Sequence, residues 1–240
     1  MFRDIIFIMT SNLSVLLFTA SRKRPLFLRH CLYQIQAQTF PNTHCIYLNS
    51  DSFNNDKDSS NLLTVMSDIS INNGYEVLMG YGPSAHQHFN HMAALELVDI
   101  DKFDLFLKID DDDIYLPRYV EDVVNDYLEK NWDFSGSSSQ GLLNQHEYEK
   151  DKVYQLDYTL FDKTLYSIMP GTLAFSKKAI KLLLHDFSKK VNLKLFEDEQ
   201  WISFLSEKDD IIYSIRSKSN YIYNIHDKNI SKPKKSVRKS

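Results

Sequence analysis

The 240-residue chain has only two cysteines and six glycines, no excess of positive charge and no long apolar run, and each shortage closes off a class of protein. Cys31 and Cys45 sit inside apolar stretches, His30-Cys31-Leu32 and His44-Cys45-Ile46, and not in a CxxC pair. That pattern points to a reducing compartment and away from structural zinc. A net charge of -4 and an isoelectric point near 6.1 offer no basic footprint for nucleic acid. The apolar opening from Met1 to Met9 is broken by Thr10, Ser11 and Asn12, well short of the roughly 20 residues that span a membrane. No small-residue cleavage site precedes the next strand. Residues 1–12 therefore read as a short leader, with Met9 as an alternative start, and the chain as cytoplasmic. There is no internal repeat. What remains is a chain 43% hydrophobic, long enough to bury one sizeable core as a single domain.

Strand-like and helix-like runs alternate from residue 13 to about residue 130, the signature of a mostly parallel sheet with crossover helices. Leu13 to Thr19 reads as the first strand. Pro25 then stands at the first position of a helix carrying Leu28, Cys31, Leu32 and Ile35, which ends near Phe40-Pro41-Asn42. His44 to Leu48 is the second strand, followed by a polar loop from Asn49 to Ser60. A helix around Leu62 to Ile69, a strand at Tyr75 to Met79 and a Gly80-Tyr81-Gly82-Pro83 turn come next. Ser84 to Val98 reads as a helix and Phe103 to Ile109 as the most apolar strand. Pro117 opens a further helix, with Val120, Val123, Val124, Tyr127 and Leu128 as its apolar face. Beyond about residue 131 the alternation loosens: a strand at Trp132 to Gly136, a polar loop to about Asp151, and a strand at Leu173 to Phe175. Ser176 caps a helix bearing Ala179, Ile180 and Leu182 to Leu184. Glu197 to Leu205 reads as helix, and Ile211 to Ile215 and Tyr221 to Ile225 as short strands. From Lys228 the chain becomes a basic tail, read as disordered.

Four consecutive aspartates, Asp110 to Asp113, follow the apolar strand. Adjacent carboxylates at low dielectric raise one another's pKa unless a cation is bound, and a divalent ion removes the conflict. If the strand continues through the run, Asp110 and Asp112 point one way and Asp111 and Asp113 the other. A D-x-D pair offers two oxygens to one Mg²⁺ or Mn²⁺ ion and leaves positions for water and phosphate oxygens. The run falls at the carboxyl end of a strand, where open α/β sheets collect ligands. The plainer reading is a solvated acidic turn before the next helix.

Ile109-Asp110-Asp111-Asp112-Asp113-Ile114-Tyr115-Leu116-Pro117 resembles the D-x-D-D-x-x-x-P segment of glycosyltransferase family 2 and its GT-A relatives. Ser14 to Phe40, closing in Ala37-Gln38-Thr39-Phe40-Pro41, resembles the family's opening strand, Arg-Pro turn and helix. Gly82 to Leu95, with Asn90 inside it, resembles the glycine turn and helix that follow. The resemblance implies one GT-A, Rossmann-like α/β domain over 13–227: a mostly parallel sheet flanked by helices, with a short antiparallel portion in its C-terminal half. Residues 13–117 would form the nucleotide-binding half and 118–227 the acceptor-binding half. It implies that Asp110 meets the ribose or the metal, with Asp111 beside it on the donor, and that Asp112 ligates the metal. Ala20, Ser21, Arg24 and Asp51 would hold the base; the family's acidic pair aligns with Asn49 and Ser50 in one register and reaches Asp51 in another.

A second acidic segment, Glu197-Asp198-Glu199-Gln200-Trp201, resembles the family's E-D-x-x-W motif, in which the aspartate is the general base. Asp198 would take that role and Glu197 would bind the acceptor. The plainer reading is a helix start with acids in its first turn. Met169-Pro170-Gly171-Thr172 resembles the small-residue segment beside the donor sugar, with Gly171 allowing close backbone approach. His226, in His226-Asp227-Lys228-Asn229-Ile230-Ser231, resembles a late histidine that completes the metal site. His86, His88 and His91 read as packing and hydrogen-bonding residues.

The resulting expectation is a Mn²⁺- or Mg²⁺-dependent, inverting glycosyltransferase. It would move a sugar from a nucleoside-diphosphate sugar, a UDP-sugar in the first place, to a glycan or lipid-linked glycan hydroxyl in surface polysaccharide synthesis. A sugar nucleotidyltransferase is the enzymatic rival, but it would want a glycine-bearing phosphate loop, and Ser21-Arg22-Lys23-Arg24-Pro25 has no glycine. A glycosidase needs no D-x-D run. A non-catalytic sugar-binding protein on the same fold is the remaining alternative. The basic tail, Lys232 to Lys239, is either a solvated terminus or an electrostatic contact with anionic lipid at the inner membrane face.

Overall fold

The computed structural model describes residues 13–21, 24–49, 77–81, 87–144, 153–157, 168–187, 197–217 and 220–226. The leader, Asp51, the helix expected at 62–69, the turn at Gly82-Pro83, His86 and the tail from Lys228 lie outside them.

Strand β1 is Val15–Ser21, buried along its whole length. Helix α1 is Pro25–Gln36, with proline in its first turn, where a missing N–H costs no hydrogen bond. Then follow β2 (Thr43–Asn49), β3 (Val77–Tyr81) and α2 (Gln87–Glu96). After a 3₁₀ turn come β4 (Leu105–Lys108), the short β5 (Ile114–Tyr115) and α3 (Tyr119–Lys130). Pro117 lies two residues ahead of α3 and not inside its first turn, because Leu116 and Pro117 first bond back to Asn220 and Thr39. Helix α3 ends at Asn131 in the left-handed region, φ 49°, its N–H returning to the Tyr127 carbonyl.

The C-terminal half supplies β6 (Phe134–Ser137), β7 (Ser139–Asn144), β8 (Val153–Asp157), β9 (Ala174–Ser176), α4 (Lys177–Leu182), α5 (Glu197–Ser206), β10 (Tyr213–Arg216) and β11 (Tyr221–Ile225). As the sequence suggested, the Ser176 hydroxyl accepts from the Ala179 N–H and caps α4. Residues 139–144, read from sequence as loop, are strand, because they pair with β8 and β11.

The fold is the expected α/β one. A seven-stranded sheet has the order β10-β6-β9-β4-β1-β2-β3, and its only antiparallel member among the described residues is β9. A four-stranded sheet, β5-β11-β7-β8, continues from it, since β6 runs into β7 through Ser138 and β10 leads into β11. Alternate residues of β1 and β4 serve opposite faces. Val15, Leu17, Leu105 and Leu107 pack with α1 and α3; Leu16, Phe18 and Phe106 pack with α2, α4 and α5. Both faces being covered, polar chemistry is pushed to the edge where β1, β2 and β4 end together.

Candidate active site

Strand β4 reads Leu-Phe-Leu-Lys, and its last residue is the exception in an apolar run: Lys108 is 1% exposed. An ammonium in such a place is costly unless paired. Lys108 Nζ lies 2.7 Å from Asp110 Oδ1, 3.1 Å from Asp198 Oδ1 and 4.0 Å from Glu197 Oε1. The motifs that stand out in the sequence do not include Lys108. The signal that could have found it is a lysine inside a buried strand, two residues before an acid.

The four aspartates do not extend β4. The Asp113 N–H returns to the Asp110 carbonyl at 3.4 Å, so the run is a turn and the strand alternation of its side chains lapses. The turn instead groups Asp110 with Asp113 and Asp111 with Asp112. A Cβ on Gly171 would stand 3.0 Å from Oδ2 of both Asp110 and Asp113, and 2.6 Å from the Tyr221 hydroxyl. Gly171, expected beside the donor sugar, is crowded by these three side chains. Asp111 and Asp112 share Arg24, at 2.6 Å each. Ser21 at the end of β1 donates its hydroxyl to Asp111 at 2.5 Å. Ala20 is buried on the neighbouring position of β1 and has no polar side-chain atom to offer a base.

Asp113 is buried and receives the Tyr221 hydroxyl at 2.5 Å and the Asn224 N–H at 3.0 Å. Burial, with Asp110 and Asp112 nearby, pushes its carboxyl well above the usual range. Burial also lifts Asp111 to about 7, against the pull of Arg24. Asp110 goes the other way: burial opposes its ionisation, but the attraction of Lys108 holds it low.

His226, at the end of β11, sets Nε2 3.2 Å from Asp112 Oδ2, and Phe27 of α1 stacks on its ring at 4.5 Å. Two donor atoms at that separation fit neighbouring ligands of one octahedral ion with bonds of about 2.1 Å. Among the described residues no group of three or more His, Cys, Asp or Glu side chains is placed to hold a metal. An ion there would take one carboxylate oxygen and one imidazole nitrogen from the protein, Asp112 Oδ2 being shared with Arg24 at 2.6 Å, and would need phosphate and water to complete its shell. Asp110, expected beside Asp112 on the metal, is turned to Lys108.

On the other side of Lys108, α5 begins with Glu197 and Asp198. Asp198 has its side chain 16% exposed, and burial raises its carboxyl to about 6 despite Lys108. Glu197 pairs with His91 Nδ1 of α2 at 2.7 Å. Burial works against its charge, yet His91 and then Lys108 keep its carboxyl low. His91, read from sequence as a packing and hydrogen-bonding residue, is buried edge-on to Phe18 and hydrogen-bonds Glu197, 106 residues away in the chain. Glu197 Oε2 is buried and has no hydrogen-bond partner among the described residues.

No family model matches the chain, and no curated protein matches it either. Solved structures do. A crystal structure of S. aureus TarS 1-349 aligns with TM-score 0.60 and 14% identity over 88% of this chain. The same protein in complex with UDP-GlcNAc aligns with TM-score 0.62 and 14% identity over 90% of this chain. The complex with UDP gives 0.61 at 13% identity over 89%. This chain is similar to these structures in fold. It spans about three-fifths of the length of TarS 1-349: 60% in the first two alignments and 61% in the third. No helix among the described residues is long and apolar enough to cross a membrane.

Proposed function

We propose that the chain is a nucleotide-sugar-dependent glycosyltransferase of the inverting kind, with the donor diphosphate at the Asp110–Asp113 turn and the acceptor hydroxyl at Asp198. The observation that carries this reading is the meeting of the two acidic segments on Lys108, 2.7 Å from one and 3.1 Å from the other, at one end of the sheet. Support also comes from the fold, shared with structures determined with UDP and UDP-GlcNAc bound. The resemblance to glycosyltransferase family 2 assigns the same two tasks to the same two segments.

In the reaction, the acceptor oxygen forms a bond to the anomeric carbon while the bond from that carbon to the diphosphate oxygen breaks. The electron pair of the broken bond leaves with the nucleoside diphosphate, and the acceptor proton passes to Asp198. A carboxyl near 6 is ionised at neutral pH yet basic enough to accept a proton in the transition state. Glu197, held by His91 and near Lys108, stands beside Asp198 at the start of α5, where the family resemblance would have it bind the acceptor. Asp112 and His226 would hold a Mn²⁺ or Mg²⁺ ion, which when bound offsets charge on the departing diphosphate. Arg24 and Ser21, placed on Asp111 and Asp112, fix that side of the turn. The acceptor would be a glycan or lipid-linked glycan, and the product part of a surface polysaccharide.

Thermal shift with UDP, GDP, CDP and dTDP, each with and without Mn²⁺, tests the donor site. Stabilisation by one nucleoside diphosphate, enlarged by the metal, is expected. The same melting temperature with every nucleotide contradicts the reading.

A further inference from the structure

We infer that Lys108 is the positioning residue that sets the acceptor base against the donor site, by holding Asp110 and Asp198 on one immobile ammonium; the inference rests on the transferase reading above. The backbone of Lys108 is fixed on both sides. Its N–H donates to the Leu173 carbonyl at 2.9 Å, and the next residue, Ile109, donates to the Phe18 carbonyl of β1 at 3.0 Å. Its side chain is enclosed at 1% exposure and leads from a strand whose other residues are fully buried. Nζ therefore has one place to be, at the sheet edge. The carboxylates arrive there from elements that have no reason of their own to be in register, a turn after β4 and the first turn of α5.

A purely neutralising role would need one carboxylate, and Asp110 at 2.7 Å already supplies it. Asp198 at 3.1 Å and Glu197 at 4.0 Å add two more partners, both from α5. His91 holds Glu197 from the far side, so the start of α5 is gripped between α2 and β4. Lys108 touches neither the acceptor hydroxyl nor the anomeric carbon in this scheme; it fixes the angle at which Asp198 faces them. Misplacing a general base by about 1 Å costs on the order of 100-fold in rate.

The test uses the full chain, UDP for binding and the fastest-hydrolysed of UDP-GlcNAc, UDP-glucose and UDP-galactose as donor, with water as acceptor. Lys108→Met keeps the length of the side chain and removes its charge. It is expected to bind UDP within about 3-fold of wild type, with KM for the donor changed as little, while kcat falls about 100-fold. Lys108→Arg is expected to recover part of that loss. In an Asp198→Asn background the Lys108→Met change is expected to cost almost nothing further, since it acts through Asp198. Equal, multiplied losses from the two substitutions overturn the proposal, as does a parallel loss of UDP affinity and kcat. If Lys108→Met does not fold, Lys108→Arg decides: a lower kcat at unchanged UDP affinity supports the proposal and an unchanged kcat overturns it. Wild-type protein that binds none of UDP, GDP, CDP and dTDP overturns the transferase reading itself.

Discussion

In the turn from Asp110 to Asp113, Ser21, Arg24, Tyr221 and the Asn224 amide reach the carboxylates from two strands and a helix start. The first turn of α5 presents Glu197 and Asp198 to His91 and Lys108, and leaves Glu197 Oε2 without a partner among the described residues. The carboxylates of the turn proposed for the donor are thus held in place from several elements. The helix start proposed for the acceptor is held by Lys108 and His91, and its Asp198 carboxyl, raised by burial to about 6, sits where one proton changes its charge. In the proposed reaction, carboxylates held in place at the diphosphate and a carboxyl of intermediate basicity at the hydroxyl are what the two tasks require.

The contrast between the two regions breaks first at Asp198. Asp198→Asn keeps the shape of the side chain and removes its basicity, so hydrolysis of the best UDP-sugar should fall about 10²- to 10⁴-fold, with UDP affinity unchanged by calorimetry. Equal loss of affinity would join the two regions into one. The next largest effect is on pH. Because burial raises Asp198 to about 6, the carboxylate needed for catalysis is lost below that value and complete above it. Log kcat should rise with unit slope up to about pH 6 and level off, and Asp198→Asn should abolish that limb.

Smaller effects test the rigidity assigned to the donor side. Gly171→Ala puts a methyl 2.6 Å from the Tyr221 hydroxyl and should cost about 1–3 kcal/mol, the usual penalty of overpacking. Tyr221→Phe removes that hydroxyl and its bond to buried Asp113, at a similar cost of about 1–3 kcal/mol. Since the two share one atom, the alanine should cost less in the Tyr221→Phe background than in wild type, read as melting temperature. Additive losses would mean that Tyr221 does not define the wall. Least of all, Ser176→Ala at the α4 cap should cost about 1 kcal/mol and leave UDP affinity and kcat alone, being remote from both regions.

Much of this was legible in the sequence. Pro25, the helical spacing of Leu28, Cys31, Leu32 and Ile35, and the apolar run into Asp110 mark out β1, α1 and β4 by local chemistry. The motif resemblance brought forward the acids that the fold gathers at one edge. Strand β7 was not legible, because Ser139, Gln140 and Gly141 look like a loop and are strand only through β8 and β11. The pairing of the aspartates was misread because alternation holds only while a strand continues, and this one stops at Lys108. The His91–Glu197 contact joins residues 106 apart, and no local pattern announces it. Asp51, expected at the base, lies outside the described residues.

The division of labour between the two regions is tested most directly by titrating UDP, with and without Mn²⁺, into wild type, Asp112→Asn and Asp198→Asn. Metal-enhanced binding is predicted in wild type and in Asp198→Asn, with loss of the enhancement in Asp112→Asn. Metal-enhanced binding that survives in Asp112→Asn, or disappears in Asp198→Asn, would contradict that division.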